Sequence, residues 1–133
     1  PSLITSEKVE IIDRPLPTRE YEQLFMNIDC MVLPYRRELY ASSTSGVAVE
    51  AASVGMPMIV TAESWLSAFA ETSGSAIQVP EADVDALADA MVKMASHIDE
   101  FSENARMSAK LAQKNHDGKQ FVATLWSGLI PEL

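Results

Sequence analysis

Four short apolar runs, VEII (9–12), CMVLP (30–34), MIVT (58–61) and AIQV (76–79), recur along the chain with helix-like patterns between them. Apolar runs of this length, bounded by Pro, Gly and Asp, read as fully buried strands, and buried strands joined by crossover helices make a parallel sheet. The expected fold is therefore α/β: a Rossmann-like parallel sheet of about four strands with flanking helices and a helical C-terminal end. After the RPLP turn, Thr18 is placed to cap a helix whose Tyr21, Leu24, Phe25 and Ile28 share one face. From Ser45 to Val54 the pattern is a nearly all-apolar helix, ended by Gly55 with Pro57 just beyond.

Past Pro80 the pattern is helical throughout, so 83–133 is expected to be mostly helix. Asp83 is the expected cap of the first helix, with Val84, Leu87, Ala88, Met91, Val92 and Ala95 on its apolar face. A second helix is expected from about Asp99 to Asn115 and a third from about Lys119 to Leu129, separated by HDG. With 133 residues, 47% of them hydrophobic, the chain can bury one core. No linker divides it, so residues 1–133 are expected to form a single, incomplete domain, and the initial Pro1 suggests a piece of a longer product.

Charge narrows the partners. The chain has 10 Lys plus Arg against 19 Asp plus Glu, a net charge of −9. That balance argues against nucleic acid as a partner, because phosphate neutralisation needs a basic surface. Small anions remain compatible, since a few aimed donors act locally while distant charge is screened beyond about 8 Å at physiological salt. Cys30 is the single cysteine, so no internal disulfide can form; it is expected as a buried strand thiol in a reducing compartment. No run reaches the ~18 apolar residues of a membrane-spanning helix.

Ligands of open parallel sheets sit outside the carboxyl ends of the strands, which directs attention to DRPLP, YRRELYASSTSG and AESW. The second loop is the richest, ending in Ser42, Ser43, Thr44, Ser45 and Gly46 at the start of the apolar helix. The first amides of a helix lack intrahelical partners and carry the positive end of its dipole, and a glycine there lets a phosphate approach the backbone. The plainer alternative is that Thr44 or Ser45 only caps the helix. Glu50 is the only charged residue from Leu39 to Ala62, and a capping box does not explain it. That motif puts the acid three residues after the cap, whereas Glu50 follows Ser45 by five and Thr44 by six. With Gly46 and Ser53 one turn away on either side, its carboxylate could accept two hydroxyls of a ribose; otherwise it is an exposed acid on a polar edge.

The order DCMVLPY, loop, TSGVAVEAASVGMPMIVT, strand and DVDALADAMVKM resembles the C-terminal nucleotide-sugar-binding domain of group 1 (family 4) glycosyltransferases of the GT-B fold. The most specific part is the E-A-x-x-x-G-x-P block formed by Glu50, Ala51, Gly55 and Pro57. The resemblance runs from about Val9 to the end. It implies transfer of a sugar from a nucleoside diphosphate sugar with retention of configuration, with that donor as substrate, no cofactor and no metal. Glu50 corresponds to the second acid of the family's E-x7-E motif, which holds the ribose; the first acid is replaced by Ser42, which puts donor identity and activity in question. Thr44, Ser45, Gly46 and Val47 correspond to the segment whose amides meet the diphosphate, and Pro15 and Leu16 to the base contact.

In the family the diphosphate-neutralising basic pair comes from earlier strands and the acceptor site from a separate N-terminal domain, neither of which is expected within residues 1–133. Arg36 and Arg37 could take the phosphate role, or be solvated surface. The acceptor stays unidentified. The implied location is cytoplasmic, with a peripheral place on the inner face of a membrane left open.

The remaining candidates are weaker. Trp65 could wall the donor pocket, although WLSAF fits core packing; His97 and His116 read as surface residues. Phe121, Val122, Leu125 and Trp126 form an apolar stripe on the last helix that would favour self-association if exposed. Two other functions stay open. The S-x-S-G loop at Ser43 to Gly46 resembles that of phosphosugar-binding domains of the sugar isomerase type, although Val47 and Ala48 replace the further hydroxyls usual there. The loss of the first acid would also suit a noncatalytic, degenerate transferase acting as a scaffold.

Overall fold

Three strands, β1 (Met31–Leu33), β2 (Met58–Thr61) and β3 (Ala76–Val79), form a parallel sheet in the order β1-β2-β3. The register pairs Met31 with Met58 and Met58 with Ala76. The computed structural model describes residues 9–40, 45–64, 66–67 and 75–115. Helices α1 (Thr18–Asn27), α2 (Arg37–Tyr40), α3 (Gly46–Ser53), α4 (Val84–Ser96) and α5 (Ile98–Asn115) accompany it among the described residues. The helix expected over 119–129 lies outside the described residues.

Side chains alternate across a strand, so β2 feeds two cores. Met58 and Val60 join Leu33, Ala48, Ala51, Met56 and Leu66 on one face, with Phe25 and Ile28 of α1 packed against them. Ile59 joins Val79, Ala90 and Met94 on the other. All four β2 residues are buried, as a strand covered on both faces requires. Right-handed crossovers in a 1-2-3 strand order put both connections on the same side. Ala48 and Ala51 from the first connection and Leu66 from the second do share one cluster. Ala48 and Ala51, both fully buried, are the residues that α3 contributes to this cluster.

The end of α3 follows from local chemistry. The Met56 amide donates to the Ala51 carbonyl at 2.9 Å and the Gly55 amide to that of Ala52 at 3.1 Å, the paired bonds of a Schellman cap. Gly55 takes φ +74. A Cβ there would stand 2.9 Å from the Arg106 Cα, so α5 crosses α3 where only a glycine leaves room.

Several expectations need correction. The VEII run forms no strand: 9–12 is exposed, with Val9 57% accessible, and the described sheet has three strands rather than about four. A strand holds its conformation through a ladder partner, and this run has none among the described residues. Pro17, not Thr18, occupies the N-cap of α1, without a side-chain capping bond. Leu24 is exposed, so the apolar face of α1 narrows to half-buried Tyr21, Phe25 and Ile28. In α4 the cap is as expected, with Asp83 Oδ1 accepting from the Ala86 amide at 2.9 Å. Its buried residues, however, are Ala90 and Met94, while Met91 and Val92 are 51% and 67% exposed. Cys30 is half-buried and precedes β1; burial, with a smaller contribution from Asp29, raises its thiol pKa.

Candidate functional site

The carboxyl end of β1 leads through Tyr35 and α2 to the start of α3. The Tyr35 ring stacks on Tyr40, with centroids 4.1 Å apart and planes at 19°, and its hydroxyl lies 3.4 Å from Ser45 Oγ. Ser45 is buried at the N-cap, where its Oγ accepts from the Ala48 amide at 3.3 Å. The Ser45 hydroxyl thus has capping work, as the plainer reading of the loop anticipated.

Beyond the cap, α3 divides into two faces. Ala48 and Ala51 point into the core; Gly46, Val49, Glu50 and Ser53, spaced i, i+3, i+4 and i+7, are exposed on the outer face. Val47 is half-buried between them. Among the described residues a Cβ built on Gly46 meets nothing within 4 Å, which leaves the backbone of the first turn open on that side. One turn further on, Glu50 Oε2 accepts a hydrogen bond from the Tyr21 hydroxyl of α1 at 2.5 Å. The Tyr21 ring leans on Phe25, centroids 5.0 Å apart and planes at 50°. The phenol pKa is pushed up to about 12, first by burial, then by the hydrogen bond to Glu50 and by its charge.

Just ahead of α1, exposed Pro15 and half-buried Leu16 lie in a loop tied to the helix by an ion pair from Arg14 to Glu20 at 2.6 Å. The two arginines after β1 have different surroundings. Arg37 pairs with Glu63 at 2.5 Å, linking the loops after β1 and β2. Arg36 lines a cavity of about 340 Å³ at the carboxyl ends of the strands, among Pro34, Thr61, Glu81, Asp83 and Leu87. Glu63 itself has φ +54, a left-handed turn for a residue with a side chain.

The structure thus brings Ser45, Gly46, Val47 and Glu50 onto one helix and places Pro15 and Leu16 before the helix that carries Tyr21. It pairs Arg37 with Glu63 and puts Arg36 in the lining of the cavity. Ser42, Thr44, Trp65 and His116 lie outside the described residues. Exposed His97, at the end of α4, stands with Nδ1 3.1 Å from the Lys93 carbonyl. Tyr21 is the residue that sequence reasoning missed: its position on an apolar stripe marked it for packing, and only its polar tip hinted at a second use. Among the described residues no group of three or more His, Cys, Asp or Glu could hold a metal ion. No described helix is long and apolar enough to cross a membrane.

A sequence model of the family described as glycosyl transferases group 1 matches residues 4–97, most of the chain. The chain belongs to the group 1 glycosyltransferases. In three dimensions this group 1 glycosyltransferase chain is similar to sucrose-phosphate synthase from Thermosynechococcus elongatus, a GT-B enzyme, with a TM-score of 0.57 at 20% identity. The match covers 79% of this chain and 27% of that one, so the chain spans about a quarter of that enzyme's length. At this identity the likeness speaks for the α/β Rossmann-like fold. No curated protein matches the group 1 chain significantly.

Proposed function

We propose that this chain is the donor half of a retaining glycosyltransferase, binding a nucleoside diphosphate sugar across the outer face of α3. The observation that carries this reading is the spacing of open Gly46 and the Glu50 carboxylate, one helical turn apart on the same exposed face. The first-turn amides of α3, at Gly46 and Val47, would meet the diphosphate, where the helix dipole favours negative charge. Thr44 and Ser42 would complete that end, with Ser45 acting through the cap. Glu50 would accept the ribose hydroxyls, and Pro15 and Leu16 would lie against the base. Arg36 would offset charge as the diphosphate leaves; Arg37, paired with Glu63, would hold the loops together.

The chemistry in this reading is electrostatic and positional. Charge grows on the departing diphosphate, and preorganised donors stabilise it without reorganising. Fixing the nucleoside presents the sugar carbon to an acceptor held elsewhere, so this chain by itself is expected to bind rather than turn over. No metal or cofactor is part of the proposal, and the acceptor would be bound by a separate N-terminal domain. A reducing cytoplasm suits the lone thiol.

Titration with UDP, GDP and ADP against a panel of sugar phosphates tests the reading. A nucleoside diphosphate should bind, and Glu50→Ala should weaken it by at least about 10- to 100-fold, the worth of one of its two charge-assisted hydrogen bonds. Preference for a free phosphosugar would favour an isomerase-type domain instead, and silence from every ligand a noncatalytic scaffold.

A further inference from the structure

We infer that Tyr21 is a positioning residue of the donor site, its hydroxyl fixing the Glu50 carboxylate so that the remaining acceptor positions face a ribose; this rests on the donor-binding reading above. The contact joins elements 29 residues apart in sequence, at 2.5 Å, between two side chains with little reason to meet for stability. Glu50 lies on the exposed face of α3 and Tyr21 is half-buried on α1. A solvent-facing hydrogen bond of this kind adds little to folding, because water would serve either group nearly as well. What it does is restrict an otherwise mobile carboxylate.

The support behind it is graded from rigid to polar. Phe25 packs against the buried cluster under α3, Tyr21 leans on Phe25, and the Tyr21 hydroxyl holds Glu50. A phenol has a single proton to donate, and here it goes to Oε2. Oε1 and the second lone pair of Oε2 remain, enough for the two neighbouring hydroxyls of a ribose. Held in this way, the carboxylate loses less rotamer freedom when the ligand arrives, and that preorganisation appears as affinity. The same arrangement gives selectivity. A deoxyribose cannot fill the second acceptor position, so Tyr21 should matter more for ribonucleotides than for their 2′-deoxy or 3′-deoxy counterparts.

The experiment compares UDP, GDP and ADP with their 2′-deoxy and 3′-deoxy forms, by calorimetry, on the unaltered protein, Tyr21→Phe, Glu50→Gln and the double variant. Tyr21→Phe keeps the ring on Phe25, and a melting curve checks that the fold is intact. The expected result is a ribo-over-deoxy preference in the unaltered protein. In Tyr21→Phe the ribonucleotide should bind about 3- to 10-fold less tightly, the size of one ordinary hydrogen bond, and each deoxynucleotide, with one hydroxyl left on Glu50, should lose distinctly less. The double variant should lose no more than Glu50→Gln, since both act through one carboxylate. Equal losses for both sugars would show a merely structural role, and unchanged or tighter ribonucleotide binding would show that Tyr21 does not position Glu50; either overturns the inference and leaves the donor reading standing. Failure of every nucleoside diphosphate to bind the unaltered protein would instead overturn the donor reading itself.

Discussion

Gly46 and Gly55 bracket α3 and answer to different constraints. Among the described residues nothing occupies the space beside Gly46, so Gly46→Ala should leave the melting temperature level or slightly raised, alanine being the better helix former by about 0.5–1 kcal/mol. If the first turn receives a diphosphate, the same change should weaken UDP or GDP binding in a titration. Gly55→Ala should do the reverse. It puts a side chain at φ +74 and 2.9 Å from the α5 backbone, and should cost more than about 2 kcal/mol in urea denaturation, strain and overpacking together. Tyr21 offers a third test. With its pKa raised from 10.0 to about 12, the folded state holds the phenol proton more tightly than the unfolded chain. Its contribution to stability is then present in full below pH 10.0 and lost as pH rises through about 12. Phenolate absorbance, taken as the difference between the unaltered protein and Tyr21→Phe, should show this late titration. Glu50→Gln should lower it partway toward the ordinary value, since burial, the leading cause, remains.

Among the elements, α4 separates what periodicity can say from what it cannot. Asp83, the helical spacing and the helix itself are read directly from the sequence, because a cap and its first turn are neighbours in the chain. Its apolar positions, however, are too many for one face: Val84, Ala88, Met91, Val92 and Ala95 follow a helical stripe as well as Leu87, Ala90 and Met94 do. The fold buries Ala90 and Met94 and half-buries Leu87, the one expected position that packs against the core. Met94→Ala should therefore cost about 2–5 kcal/mol in denaturant, whereas Val92→Ala, on the face that periodicity favoured, should cost well under 1 kcal/mol. The VEII run shows the same limit for strands. Its composition suits a sheet, but conformation in a sheet depends on a neighbour, and the residues stay exposed.

For the molecule as a whole, the net charge of −9 sets a background that individual contacts do not reveal. Like charges crowd together on folding, so added salt, by screening them, should raise the melting temperature between low and physiological ionic strength. A flat or falling dependence would mean that local ion pairs such as Arg14 to Glu20 outweigh the general repulsion. The sequence by itself determined the strands at 58–61 and 76–79, the cap and length of α4, the glycine stop of α3, the α/β class and the family, since these depend on residues near one another in the chain. Only the tertiary structure decided that Tyr21 meets Glu50, that Arg37 meets Glu63 and that α4 buries Ala90 and Met94. Such contacts depend on which faces a right-handed crossover brings together across the sheet, and neither partner's local sequence specifies the other.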